Sequence, residues 1–311
     1  MLIPEIDSLL EADTKNIPEA RRLFFNFHSL LPDTLNTGAV LHDTCARAFS
    51  QGVKNPSLPL ELAMQMVDVN TLDECLSRLE APIPSGHEEQ FKKARTELNK
   101  FYSLQNRAAI FSRVCVLYGF IVADFLRFRV TIPLGCLRLQ CESVALMKLM
   151  QDDSAVARQW REIKTEKEGK IFYRVYQPKI KEILRSYDLS EAYDTFSRVA
   201  MHGSFTGLGY GLRLNTQRED NKVIATIGST AQEFDPENPA PFLLMVLYAL
   251  RVQERIFSNL QKAMPEIQDP LLLETRIPQF RSSVDQLFAH FKKQYPEVGE
   301  RQHRTDTTTD I

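Results

Sequence analysis

Glycine is scarce in this chain, with 12 in 311 residues, and that scarcity argues against a fold of many short strands joined by tight turns. Charge of one sign is also missing. The 38 Lys and Arg balance 40 Asp and Glu for a formal net charge of −2, which excludes a dedicated basic nucleic-acid coat and confines any polyanion contact to a local patch. No apolar run reaches the roughly 20 residues of a membrane span: the most apolar, Val114 to Ala123, stops at Asp124 and reads as a core helix. The first residues carry Glu5, Asp7, Glu11 and Asp13 where a secretory leader would be basic and then apolar. Five cysteines, an odd number set mostly among apolar neighbours, fit reduced core thiols rather than a disulfide framework, so a cytoplasmic location without membrane contact is expected.

What is present is helical periodicity. Apolar residues recur at spacings of three and four, and no repeat of solenoid length is visible. The expected fold is all-α, a multi-helix bundle with one small β-hairpin insertion. Prolines 18, 32, 56, 59, 82 and 84 predict short helices in an N-terminal subdomain over residues 1–85. The bundle should occupy 86–295, with long helices from His87 to Arg127 and from Thr131 to about Gln151. A charged helical region around Trp160 should end near Pro178, and a helix from Leu189 to His202 should stop at Gly203. Clustered glycines and the β-rich Val223 to Ile227 place a hairpin near 209–229, before two last helices. The polar tail 296–311 lacks the apolar content to fold.

Most familiar chemical motifs fail on context. Gly207, Gly209 and Gly211 precede a strand instead of joining strand to helix, so they form no nucleotide-binding turn. Cys136 and Cys141 diverge around one helix, and Glu300-x-x-His303 stands alone, so no metal or other cofactor is called for.

Two helices carry polar side chains that do need a reason. On the helix opening at Thr131, Leu134, Leu137, Cys141, Ala145, Leu149 and Leu146 define a buried arc, and Arg138 and Glu142 fall inside it. Such a pair is either an architectural ion pair or the wall of a polar site. On the helix from Leu189, Ser197 borders the core side, whereas Arg198 and His202 share the opposite face. There the histidine either covers free carbonyls at the helix end or serves as a general acid or base beside a phosphate-binding arginine. Between these helices, Arg158 to Arg185 holds nine basic residues against four acidic ones, with Tyr173 and Tyr176 interspersed and Tyr187 just beyond; Arg161, Lys164, Lys167 and Lys170 are its candidate phosphate ligands. Their spacing of three turns the charge around the helix, which also fits a simply solvated surface.

The order Arg138-x-x-x-Glu142, then Ser197 and His202-Gly203-Ser204, followed by a loop excursion and further helices, resembles uncharacterised bacterial proteins related to the HEPN superfamily across roughly residues 95–264. That resemblance implies a helical bundle that commonly forms a homodimer, and a metal-independent ribonuclease acting in phage defence, toxin–antitoxin or stress systems. It implies catalysis by Arg198 and His202, with Arg138, Glu142 and Ser197 as a supporting polar core and RNA as the partner. The family's arginine and histidine are separated by four to six residues; here three intervene. The competing expectation is a non-enzymatic helical module that dimerises or binds a protein partner.

Overall fold

The computed structural model describes residues 6–197, 212–219, 222–229 and 235–297. The architecture is all-α. Helix α1 spans Ile6–Phe27, α2 Leu30–Gly52, α3 Leu58–Met66 and α4 Leu72–Glu80; the long α5 spans Glu88–Phe125, followed by α6 Thr131–Asp152, α7 Ser154–Arg161, α8 Glu166–Ser186 and α9 Ser190–Phe196. After the excursion come α10, Ala240–Ala263, and α11, Ile277–Gln294, which a π-helical turn at Leu272–Arg276 leads into. Two extended segments, Leu212–Glu219 and Lys222–Ser229, are paired antiparallel, Leu212 opposite Ser229 and Glu219 opposite Lys222. The expected tail beyond residue 297 lies outside the described residues.

Helix α5 is the axis around which the rest packs, because its apolar side chains recur every three or four residues. Phe91, Ala94, Leu98, Phe101, Ile110, Phe111, Val114, Tyr118, Ile121 and Phe125 are all buried along it, against α2, α3, α6 and α7. Its apolar C-terminal half meets the length and hydropathy of a membrane span, and the inward half of that stretch lies in the core. One apolar core runs from Ala20 and Leu31 through Cys75 to Phe291, so the helices of the first 85 residues and those that follow share it.

Close approaches explain two glycines on α2. A Cβ at Gly38 would overlap the phenol of Tyr118, and one at Gly52 would overlap the backbone carbonyl of Glu266. That segment after α10 is pinned again by Arg107 of α5. The Arg107 guanidinium donates to both Glu266 carboxylate oxygens at 2.9 and 2.7 Å and to the Ala263 carbonyl at 3.1 Å.

A second buried polar chain crosses four helices. The Val114 carbonyl accepts from the Gln140 amide at 2.7 Å, the Gln140 oxygen accepts from the Gln253 amide at 2.7 Å, and the Gln253 oxygen faces His42 Nε2 at 2.9 Å. A carbonyl can only accept, so it orients both glutamines in turn and makes His42 Nε2 the donor. Burial then holds His42 neutral, with its pKa pushed down to about 4.

Two prolines behave otherwise than expected. Pro18 lies inside α1, and Pro178, expected to mark a helix end, lies inside α8. Pro178 is on the exposed side of α8, where water can satisfy the carbonyl left without its amide partner. What starts α8 instead is a capping box: Thr165 Oγ1 accepts from the Glu168 amide at 3.2 Å while the Glu168 carboxylate accepts from the Thr165 amide at 3.0 Å. The charged region around Trp160 is therefore two helices, α7 and α8, with the break at Glu162 to Thr165.

Candidate functional site

Helices α6, α8 and α9 enclose a cleft of about 730 Å³. Arg138, Glu142, Tyr173, Arg174 and Tyr193 line it, with Ile163 and Ile180 supplying apolar wall. Arg138 and Glu142 face it because α6 buries almost every other side: Leu134, Leu137, Cys141, Ala145 and Leu149 are buried, and so are Gln140, Val144 and Met147. The pair is half-buried, with side chains 21% and 19% exposed and 3.8 Å between guanidinium and carboxylate.

Arg138 is the better anchored of the two. Its Nε donates to Ser197 Oγ at 2.8 Å, its Nη2 approaches the Tyr193 hydroxyl at 3.5 Å, and its guanidinium lies over the Tyr193 ring, 5.4 Å from the centroid. These contacts tie the end of α9 to α6. Glu142, by contrast, receives no hydrogen bond among the described residues. Burial pushes its pKa up, against the pull of Arg138 and Arg113, whose positive charges favour the carboxylate. Glu142 also borders a smaller cavity of about 140 Å³ shared with Arg113, Trp160 and Tyr173.

The structure brings Arg138, Glu142 and Ser197 together as one polar group. Arg198 and His202 lie outside the described residues, with Ser197 the last described position before them. The four candidate phosphate ligands separate. Arg161, on α7, stacks its guanidinium over Tyr102 at 4.9 Å and donates to Gln105 Oε1 at 3.0 Å, while Lys164 stands exposed in the connection to α8. Lys167 and Lys170 sit on α8, where Lys170 pairs with Glu166 at 2.6 Å.

On α8 these two lysines belong to a larger set. At about 100° per residue, Lys167, Lys170, Arg174, Lys181 and Arg185 fall within an arc of about 60°, and all five are exposed. The buried face, Phe172, Tyr176, Ile180 and Leu184, is centred about 130° away. The result is a stripe of positive charge about 27 Å long. Arg174 and Lys170 belong to both the stripe and the cleft mouth. The spacings of three, four, seven and four were readable in the sequence; starting the register at Arg158, on a different helix, hides them. Of the three tyrosines, Tyr176 and Tyr187 are buried and Tyr173 is 38% exposed.

Fold and site together define a helical bundle with a polar cleft opening onto a basic helix. Among the described residues, no group of three or more His, Cys, Asp or Glu is placed to hold a metal ion. The chain matches no protein-family model, no curated protein and no solved structure.

Proposed function

We propose that this protein binds RNA along α8 and cleaves it, as an HEPN-like ribonuclease of a bacterial defence or stress system. The observation that supports this best is the exposed stripe Lys167, Lys170, Arg174, Lys181 and Arg185, running into the mouth of the cleft between α6, α8 and α9. Phosphate contacts of this kind position a chain without reading its sequence. Ser197, which precedes Arg198 in the chain, is held by Arg138, a residue of the cleft wall.

In this reading His202 accepts the proton of a ribose 2′-hydroxyl as its oxygen bonds to phosphorus, and Arg198 stabilises the phosphate. The P–O5′ bond breaks and the departing oxygen takes a proton from the imidazolium, leaving a 2′,3′-cyclic phosphate and a 5′-hydroxyl. Arg138 and Glu142 order the supporting core, and the segments Leu212–Glu219 and Lys222–Ser229 form a paired-strand insertion. Incubation of single-stranded RNA with protein in excess EDTA tests the chemistry. Cyclic-phosphate products from the native chain and none from His202→Ala are expected; cleavage equal in both, or absent in both, removes the nuclease assignment.

A specific observation favours a second reading, a non-enzymatic module that pairs with itself or a protein. Val116 and Phe120 on α5 are 55% and 56% exposed, and Val40 on α2 is 54% exposed. Size-exclusion chromatography with light scattering separates the readings when combined with the cleavage assay: a dimer lost in Phe120→Asp, with no cleavage, is the result this alternative expects.

A further inference from the structure

Glu142 is a half-buried carboxylate at a cleft wall with no donor among the described residues. An ionised carboxylate offers two acceptor oxygens, and here they face the open cleft with Arg138 at 3.8 Å as an ion-pair partner. A ligand that completes this site must bring two adjacent N–H donors on one planar edge. Two chemical groups do so commonly: the guanidinium of an arginine and the N1–H and N2–H edge of guanine. The surroundings choose between them. Arg138 and Arg113 stand beside Glu142, and Arg174 and Lys170 stand at the mouth with Glu166 paired to Lys170, so even counting both carboxylates a cationic guanidinium would enter against a net positive charge. Neutral guanine meets no such opposition, and a phosphate attached to it is attracted by Arg174, which has no ion pair or hydrogen bond among the described residues.

The walls fit the same ligand. Tyr173 offers a partly exposed ring on which a base can stack, Ile163 and Ile180 add apolar surface, and about 730 Å³ lies within the range that holds a nucleotide. We infer that the cleft between α6, α8 and α9 is a guanine-nucleotide site, with Glu142 reading the base edge, Tyr173 stacking on the ring and Arg174 holding the phosphate. The guanine is either a base within RNA or a free nucleotide. The first source rests on the RNA-binding reading of α8; the second does not.

Isothermal titration with guanosine, inosine and adenosine monophosphates tests the site. Guanosine monophosphate should bind at least about tenfold more tightly than adenosine monophosphate, whose edge presents an acceptor at N1 to the carboxylate. Inosine monophosphate, one N–H fewer, should fall between them. Glu142→Gln should abolish the preference, because its amide presents one donor and one acceptor; a thermal melt identical to that of the native chain confirms that this variant is folded. Arg174→Ala, at an exposed position, should weaken guanosine monophosphate severalfold and leave guanosine itself unchanged. Equal binding of the guanine and adenine nucleotides, or a preference that survives Glu142→Gln, overturns the inference.

Two labelled 12-nucleotide RNAs, all-adenosine and the same strand with one guanosine, separate the sources. If the guanosine strand binds more tightly, the RNA base is the ligand. If both strands bind equally and no guanine nucleotide is preferred, the guanine site falls while RNA binding by α8 stands. If neither strand binds but guanosine monophosphate does, the site stands as a free-nucleotide pocket and RNA binding falls.

Discussion

Replacing Arg107 with alanine tests how the bundle is held together. The side chain is 3% exposed, and its partner Glu266 is 19% exposed. Four acceptor contacts converge on its guanidinium: two carboxylate oxygens of Glu266, the Ala263 carbonyl, and Ser103 Oγ at 3.3 Å. Arg107→Ala strands the carboxylate and the carbonyl at the junction of α5 with the segment after α10. Removing one member of a buried pair costs about 3–5 kcal/mol, against under about 1 kcal/mol for an exposed pair. Taking about 4 kcal/mol, and about 2 °C per kcal/mol for a chain of this size, the melting temperature should fall by about 8 °C. Circular dichroism melts and urea midpoints measure this directly. The double change Arg107→Met with Glu266→Leu, which removes both charges and fills the space, should recover most of the loss. A loss under about 1 kcal/mol for Arg107→Ala, or a double variant as unstable as the single, would refute the assignment of this pair as a buried tie.

Other perturbations follow from particular contacts. Gly52→Ala should destabilise strongly, because its Cβ meets the Glu266 backbone carbonyl, whereas Gly119→Ala, helical with open space around it, should stabilise by about 0.5–1 kcal/mol; paired urea titrations compare the two. His42 has a folded pKa of about 4, below its ordinary 6.5, so the folded state binds the proton less readily than the unfolded chain. Stability is then fully present above about pH 6.5 and falls as pH drops toward 4, by about 3 kcal/mol in total. His42→Phe should flatten that part of the pH–stability curve, and a slope unchanged in the variant would exclude His42 as its source.

Much of the helical order was legible because burial on one side leaves a periodic trace. The arc from Leu134 to Leu149 marked the cleft helix, and Arg138 and Glu142 stood out in it as charges where apolar side chains belonged. That arc was too narrow: Gln140 is on another side of α6 and is equally buried, since α6 has neighbours on several sides and a single-stripe reading cannot register the second. Pro178 misled because proline ends a helix only where its missing amide matters, and on an exposed face water replaces it. Glu142's lack of a donor was invisible in the sequence, which shows Arg138 four residues away and not the Ser197 and Tyr193 oxygens that engage it. The basic stripe was present in the spacing of α8 and concealed by a helix boundary at Glu162 to Thr165 that no proline or glycine announces.

The salt dependence of RNA binding tests the central claim most directly. Five exposed cations contacting a single-stranded backbone predict a slope of log K against log salt concentration of about −3.5, at about −0.7 per phosphate contact. In the triple variant Lys167→Gln, Arg174→Gln, Lys181→Gln the slope should fall to about −1.4, with unchanged thermal stability. A native slope near zero, or one that the triple variant leaves intact, would contradict α8 as the RNA-binding surface.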